Sequence, residues 1–268
     1  LYDTHGLPIE TIEEFSGSMG LKIDREGFKN LLEKQKEVSR KSSGINTAIF
    51  AETLSALVKS LNINTEFTGY NKYEERCRIK AIIKEGKCVN EITDAATGYV
   101  ITDISPFYGE QGGQIGDTGT LEKDSSRCGI IDTKIVESTI LHAVEVKGCL
   151  LKVGDEVTLK VDVEKRRNIA RHHSATHLLQ AALREVLGSH VEQSGSYVSD
   201  EFLRFDFSHF KDLDKREIER VEGVVNAYIR KAAGVSTSVM GVGDARCMGA
   251  IALFGEKYSG TVRVVFMG

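Results

Sequence analysis

The stretch Arg171-His172-His173-Ser174-Ala175-Thr176-His177-Leu178-Leu179 decides how the last third of this chain is read. Around it, Ile169, Ala175, Leu178, Leu179, Ala182, Leu183, Val186 and Leu187 recur at steps of three and four, which predicts a helix from about Ile169 to Leu187. Gly188 is its expected C-terminal stop. His173 and His177 stand four apart, so they share one helix face with Cβ atoms about 5–6 Å apart. Imidazole nitrogens bind zinc at about 2.0–2.1 Å, so two such rings can converge on one ion. Spacing alone leaves two readings open: part of a metal-dependent hydrolytic site, or two histidines on a semi-polar helix face. A zinc site would need two further ligands.

Just upstream, Lys165, Arg166, Arg167 and Arg171 cluster where this helix begins. Exposed cations there oppose the helix dipole by about 0.3–1 kcal/mol each. One explanation is attraction of a polyanion, because phosphate contacts supply much of nucleic-acid affinity. The other is a solvated helix start screened by Asp162 and Glu164.

Downstream the pattern is mixed. Strand-like pieces run His190–Gln193 and Ser196–Val198, on either side of Ser194-Gly195. Leu203, Phe205 and Phe207 alternate with Arg204 and Asp206. Asp214 followed three residues later by Glu217 predicts a capped helix carrying Ile218, Val221, Val225, Tyr228 and Ile229. Val235–Val242 and Thr261–Phe266 read as strands, with a short apolar segment, Ala250–Phe254, between them.

Residues 65–164 have a different texture. Five β-branched runs, at Arg78–Ile83, Gly98–Thr102, Gly129–Asp132, Thr139–Val144 and Glu156–Val161, are separated by turns at Glu85-Gly86, Ala96-Thr97-Gly98 and Lys147-Gly148. Short strands so spaced predict a small barrel or sandwich. His142 reads as a core or edge histidine. Among these runs lies Pro106-Phe107-Tyr108-Gly109-Glu110-Gln111-Gly112-Gly113-Gln114-Ile115-Gly116-Asp117-Thr118-Gly119, with five glycines in fourteen residues. It lacks the Lys-Ser/Thr of a phosphate loop and leads into no helix as a dinucleotide fingerprint does. A hairpin or bulge and a specialised turn near a binding surface both remain open. Residues 1–44 look helical, with Pro8 in a first turn and Asp24 as an N-cap, and the amphipathic segment Ala51–Val58 reads as either a short helix or a connector.

Hydrophobic content of 41% and charged content of 28% are ordinary for a globular protein. No apolar run approaches the ~18–20 residues of a membrane span. A net charge of −4 gives no overall attraction to nucleic acid, so such a role must rest on local patches. Cys77, Cys88, Cys128, Cys149 and Cys247 form no close pair, which reads as reduced thiols in a cytoplasmic protein, with Cys247 as a buried thiol.

Three stretches together resemble the bacterial-type alanyl-tRNA synthetase family: Leu1-Tyr2-Asp3-Thr4-His5-Gly6-Leu7-Pro8, the loop Pro106–Gly119, and His173-Ser174-Ala175-Thr176-His177-Leu178-Leu179. Gln193-Ser194-Gly195-Ser196, Leu203–Phe207 and Ala252–Tyr258 extend the resemblance over nearly the whole chain in one order. It implies an α+β internal fragment. Residues 1–64 would be the helical end of the tRNA-recognition region and a connector, and 65–164 a small β-barrel. Residues 165–268 would be an α/β editing module shared with threonyl-tRNA synthetase. The ATP site that attaches alanine to tRNA(Ala) would lie upstream, and an oligomerising domain downstream.

The resemblance also implies zinc held by a His-x-x-x-His pair, matched here by His173 and His177, and by a later Cys-x-x-x-His element expected beyond Gly268. The implied reaction is hydrolysis of mischarged Ser-tRNA(Ala) and Gly-tRNA(Ala). A pocket that accepts alanine cannot strongly reject a near-isosteric side chain by binding alone. Gln193 is the implied polar contact to the substrate, and Thr176, one residue from a ligand, either contacts the serine hydroxyl or caps a turn. Arg166, Arg167 and Arg171 are expected to meet tRNA phosphates, and the loop residues Gly112, Gly113 and Gln114 to lie near the acceptor end of the tRNA or to support the site. Two alternatives stand beside this: a non-catalytic tRNA-binding module, or a free-standing editing hydrolase.

Overall fold

The computed structural model describes residues 16, 20, 23–24, 27, 45–93, 96–250 and 260–267. The chain divides into two units, Leu1–Leu57 and Val58–Gly268. Most of the helical expectation for residues 1–44 lies outside the described residues. Within them, Asp24 Oδ1 accepts a hydrogen bond from Gly27 N at 2.8 Å, the bond an N-cap makes to its third residue. The amphipathic segment at Ala51–Val58 falls inside helix α1 (Ile45–Leu61).

The larger unit is α+β. Its first part is a closed barrel. Strands β1 (Glu66–Phe67), β2 (Glu74–Lys84), β3 (Lys87–Val89), β4 (Glu91–Ile92), β5 (Ala96–Thr102), β6 (Ile104–Ser105), β7 (Gly119–Lys123), β8 (Ser126–Val136), β9 (Thr139–Val146), β10 (Leu151–Lys152) and β11 (Glu156–Val161) follow in sequence. Six of them run β11-β7-β8-β9-β5-β2 around one antiparallel sheet, and β11 pairs back onto β2 with Val157 opposite Cys77. Closure removes the unpaired edges that an open sheet would expose.

Alternation sends one face of each strand inward. Cys77, Ile79, Ile82, Val100, Leu121, Cys128, Ile130, Val144, Val157 and Leu159 meet in one core with Phe107. Of the six strands in the closed sheet, the one missing from the sequence pattern is β7. Its residues Gly-Thr-Leu-Glu-Lys bury only Leu121, so no apolar run announces it.

His142 is a core residue with no exposed surface. Its Nδ1 lies 2.9 Å from Val100 O, and a carbonyl only accepts, so Nδ1 carries the proton. Nε2 therefore accepts from the Ser105 hydroxyl at 2.8 Å, and Ser105 Oγ accepts in turn from Phe107 N–H.

The barrel hands directly to helix α2 (Val163–Leu187), capped by Asp162, whose side chain accepts from Lys165 N. The helix ends at Gly188, with φ 119°. Next come β12 (Gln193–Val198) and β13 (Leu203–Phe207), an antiparallel pair, then helix α3 (Lys215–Lys231). Asp214 and Glu217 form the expected reciprocal capping box. Ser194-Gly195 does not divide two strands but forms a bulge inside β12, where the register slips without reversing the chain. Ala182, Leu183, Val191 and Val221 form the core of this part, covered by Leu179, Phe205, Phe207 and Val225. Strand β14 (Val235–Gly241), short helix α4 (Val242–Cys247) and strand β15 (Thr261–Met267) complete the order, with β14 and β15 antiparallel. Most of the apolar segment expected at Ala250–Phe254 lies outside the described residues.

Two thiol expectations change. Cys247 is exposed at the end of α4 rather than buried. Cys128 and Cys149 are not isolated: their sulfurs are in contact within the barrel. Among the described residues no helix is long and apolar enough to cross a membrane.

Candidate functional site

The site forms where α2 lies along the glycine loop that precedes β7. The loop turns tightly at its middle. Gln111 N donates to Gln114 O at 3.2 Å and Gln114 N to Gln111 O at 3.0 Å. The two residues between, Gly112 and Gly113, have φ of 61° and 82°, the paired positive values of a type I′ turn. A Cβ on Gly113 would stand 2.5 Å from Ser196 O, so glycine also permits the turn to seat on β12. Backbone hydrogen bonds fasten it there: Val198 N to Gly113 O at 2.8 Å and Ile115 N to Val198 O at 3.1 Å.

From this anchored turn Gln114, 8% exposed, reaches α2. Its Oε1 lies 2.6 Å from His173 Nδ1. Three residues further on, Asp117 reaches the first turns of the same helix. Its carboxylate accepts from Arg166 Nε at 2.8 Å and from Arg166 Nη2, and also from Tyr108 N–H at 2.6 Å. The spacings match. Arg166 and His173 are seven residues apart, about 10 Å along a helix. Gln114 and Asp117 are three apart, about 10 Å in extended chain. Loop and helix therefore run antiparallel and meet twice.

The rings of His173 and His177 face one another, centroids 5.1 Å apart and tilted by 32°. Burial holds His173 below the usual histidine range, and the neighbouring His177 pushes the same way. The surrounding protein also lowers His177, although that ring reaches the surface. Both are thus held toward the neutral form, which a metal ligand must have. Neutral imidazoles four apart on one helix face are a donor type zinc takes, and a tetrahedral ion would need two further ligands. Among the described residues no group of three or more His, Cys, Asp or Glu side chains is gathered to hold a metal.

The other sequence-predicted residues divide. Thr176 is buried, and its hydroxyl donates to His172 O at 2.8 Å, which leaves the oxygen lone pairs as acceptors. Gln193 donates through Nε2 to Ser196 Oγ at 3.1 Å, and Ser196 backs onto Gly113, so Gln193 joins the same locale. Arg167 and Arg171 are exposed on α2, and Arg171 Nη1 donates to Asn168 Oδ1.

Arg166 is a correction to the expected phosphate contact. Its side chain is 12% exposed, and beside Asp117 it donates to Gly69 O at 3.0 Å and Pro106 O at 2.7 Å. All three guanidinium nitrogens are engaged inside the protein, so it joins helix to barrel rather than reaching for phosphate.

Two residues escaped the sequence reading. Asp117 carried a signal, as a carboxylate among glycines in a loop otherwise built for backbone approach. His172 did not: it sends Nδ1–H to Ser199 O at 2.7 Å, a tertiary contact with no local pattern.

This chain is a synthetase segment: residues 1–165 match the family described as tRNA synthetases class II (A), and the chain belongs to that family. More particularly, it is 42% identical over 269 residues to "Alanine--tRNA ligase 1" of Lachnoclostridium phytofermentans. All of this chain is covered, against 31% of that relative, so the chain spans about a third of its length.

Proposed function

We propose that this chain is the editing region of an alanine-tRNA ligase, acting by ester hydrolysis on Ser-tRNA(Ala) and Gly-tRNA(Ala). The observation that carries this reading is the facing pair His173 and His177, with His173 backed by Gln114. The parent enzyme would attach alanine to tRNA(Ala) with ATP at a separate domain in the cytoplasm. The module from α2 onward would be the one shared with threonyl-tRNA synthetase.

His173 and His177 would hold zinc through nitrogens on one helix face. Zinc when bound supplies Lewis-acid chemistry suited to ester hydrolysis. The remaining roles belong to this chain's own groups. Thr176 Oγ, its proton committed to His172 O, can accept a hydrogen bond from the hydroxyl of a seryl substrate. Gln193, at the start of β12, offers a polar contact to the substrate. The Gly112–Gly113 turn seats the barrel loop against β12, and Arg167 and Arg171 face solvent where tRNA phosphates can reach them.

The test is deacylation of Ser-tRNA(Ala) by a protein carrying this chain at its relative's length. His173→Ala and His177→Ala should each abolish release of serine while alanine attachment continues. Undiminished hydrolysis by both variants would exclude the proposed site.

A second reading applies to the chain as it stands: a tRNA-binding module without catalysis. It is favoured by the absence, among the described residues, of a third metal-ligating side chain beside the pair. Salt-sensitive tRNA binding without zinc uptake or serine release would support it.

A further inference from the structure

We infer that Gln114 is a positioning residue that fixes the tautomer of His173, placing the proton on Nδ1 and leaving the Nε2 lone pair for an electrophile. The inference rests on the metal-binding reading of His173 and His177 and deepens it. Its first ground is the 2.6 Å contact between Gln114 Oε1 and His173 Nδ1. An amide oxygen has no proton to give, so the imidazole must be the donor. The partner of one ring nitrogen sets which tautomer is present, and thereby which nitrogen is free.

Its second ground is that Gln114 is itself held. It closes the Gln111–Gln114 turn through two backbone hydrogen bonds, and Val198 clasps its neighbours Gly113 and Ile115 on either side. At 8% exposure it has little solvent to turn toward. Its third ground is Gly113, since a side chain there would meet Ser196 O and lift the turn from β12. A loop of the barrel, 59 residues before the histidine, therefore governs one half of the helix pair.

The experiment is two-bond proton–nitrogen NMR of the imidazole rings, at a pH where they are neutral, on the full 268-residue chain and its Gln114 variants. Zinc titration of the same samples accompanies it. The wild-type chain should show His173 protonated at Nδ1. Gln114→Leu should move that proton to Nε2 or to a mixture and weaken zinc binding about 10–100-fold, the usual scale for a ligand's supporting partner. Gln114→Glu keeps an acceptor at the same place and should restore the Nδ1–H pattern, which separates positioning from a folding defect.

A wild-type ring protonated at Nε2, or an unchanged Nδ1–H pattern in Gln114→Leu, overturns the inference. If the tautomer follows residue 114 while wild-type chain takes up no zinc, positioning stands and the metal reading fails. If zinc binds equally to both and the tautomer does not move, positioning fails and the metal reading stands.

Discussion

Arg166 and Asp117 form a buried ion pair that ties the first turns of α2 to the glycine loop of the barrel, with side chains 12% and 1% exposed. The carboxylate is further held by Tyr108 N–H, and the guanidinium by two backbone carbonyls. Removing one partner leaves a buried charge without compensation, which costs about 3–5 kcal/mol. Asp117→Leu and Arg166→Leu should each lower stability on that scale in chemical denaturation. The double variant should lie closer to wild type than the sum of the two losses. Full additivity would show that the pair is not coupled.

The Gly113 turn should tolerate no side chain. Gly113→Ala places a Cβ in a positive-φ backbone and against Ser196 O. Strain of this kind costs about 1–3 kcal/mol. The denaturation midpoint should fall accordingly. A variant as stable as wild type would mean that the turn does not need to seat on β12.

His142 predicts a pH dependence of stability. Burial pushes its pKa down from 6.5 to about 4. In the folded chain it stays neutral where the unfolded chain already binds a proton. Its contribution is therefore fully present above about 6.5 and is lost as pH falls from about 6.5 to about 4, on the order of 3 kcal/mol in all. Urea unfolding of wild-type chain should weaken steadily through this window, and His142→Gln should flatten that component. Equal slopes in the two proteins would remove His142 as its source.

Of the three arginines expected to meet phosphate in the proposed tRNA complex, Arg167 and Arg171 are the exposed ones. Each alanine variant should weaken tRNA binding and reduce the slope of log affinity against log salt by about one. Arg166→Ala should instead act through stability. An unchanged salt slope in both exposed variants would take this face out of the interface.

The parts legible in the sequence were those with local causes. Apolar spacing marked α2 from Ile169 onward but not its polar first turns from Val163, and the Asp214–Glu217 pair marked the start of α3 with its capping box. Five of the six strands of the closed sheet announced themselves by β-branched runs. β7 did not, since only one of its five residues is buried. The pairings that build the site join residues 49 and 59 apart, Asp117 with Arg166 and Gln114 with His173, and no local pattern encodes such contacts. Arg166 shows the limit well: a sequence displays a charge, but a buried partner forty-nine residues away decides whether that charge faces water.

The most direct test of the central claim is proton NMR of the chain loaded with cobalt(II) in place of zinc. Paramagnetic cobalt shifts the ring protons of its ligands far outside the normal range. The account predicts displaced ring signals from both His173 and His177, each lost in its own alanine variant. Displaced signals from other histidines, or none from this pair, would contradict it.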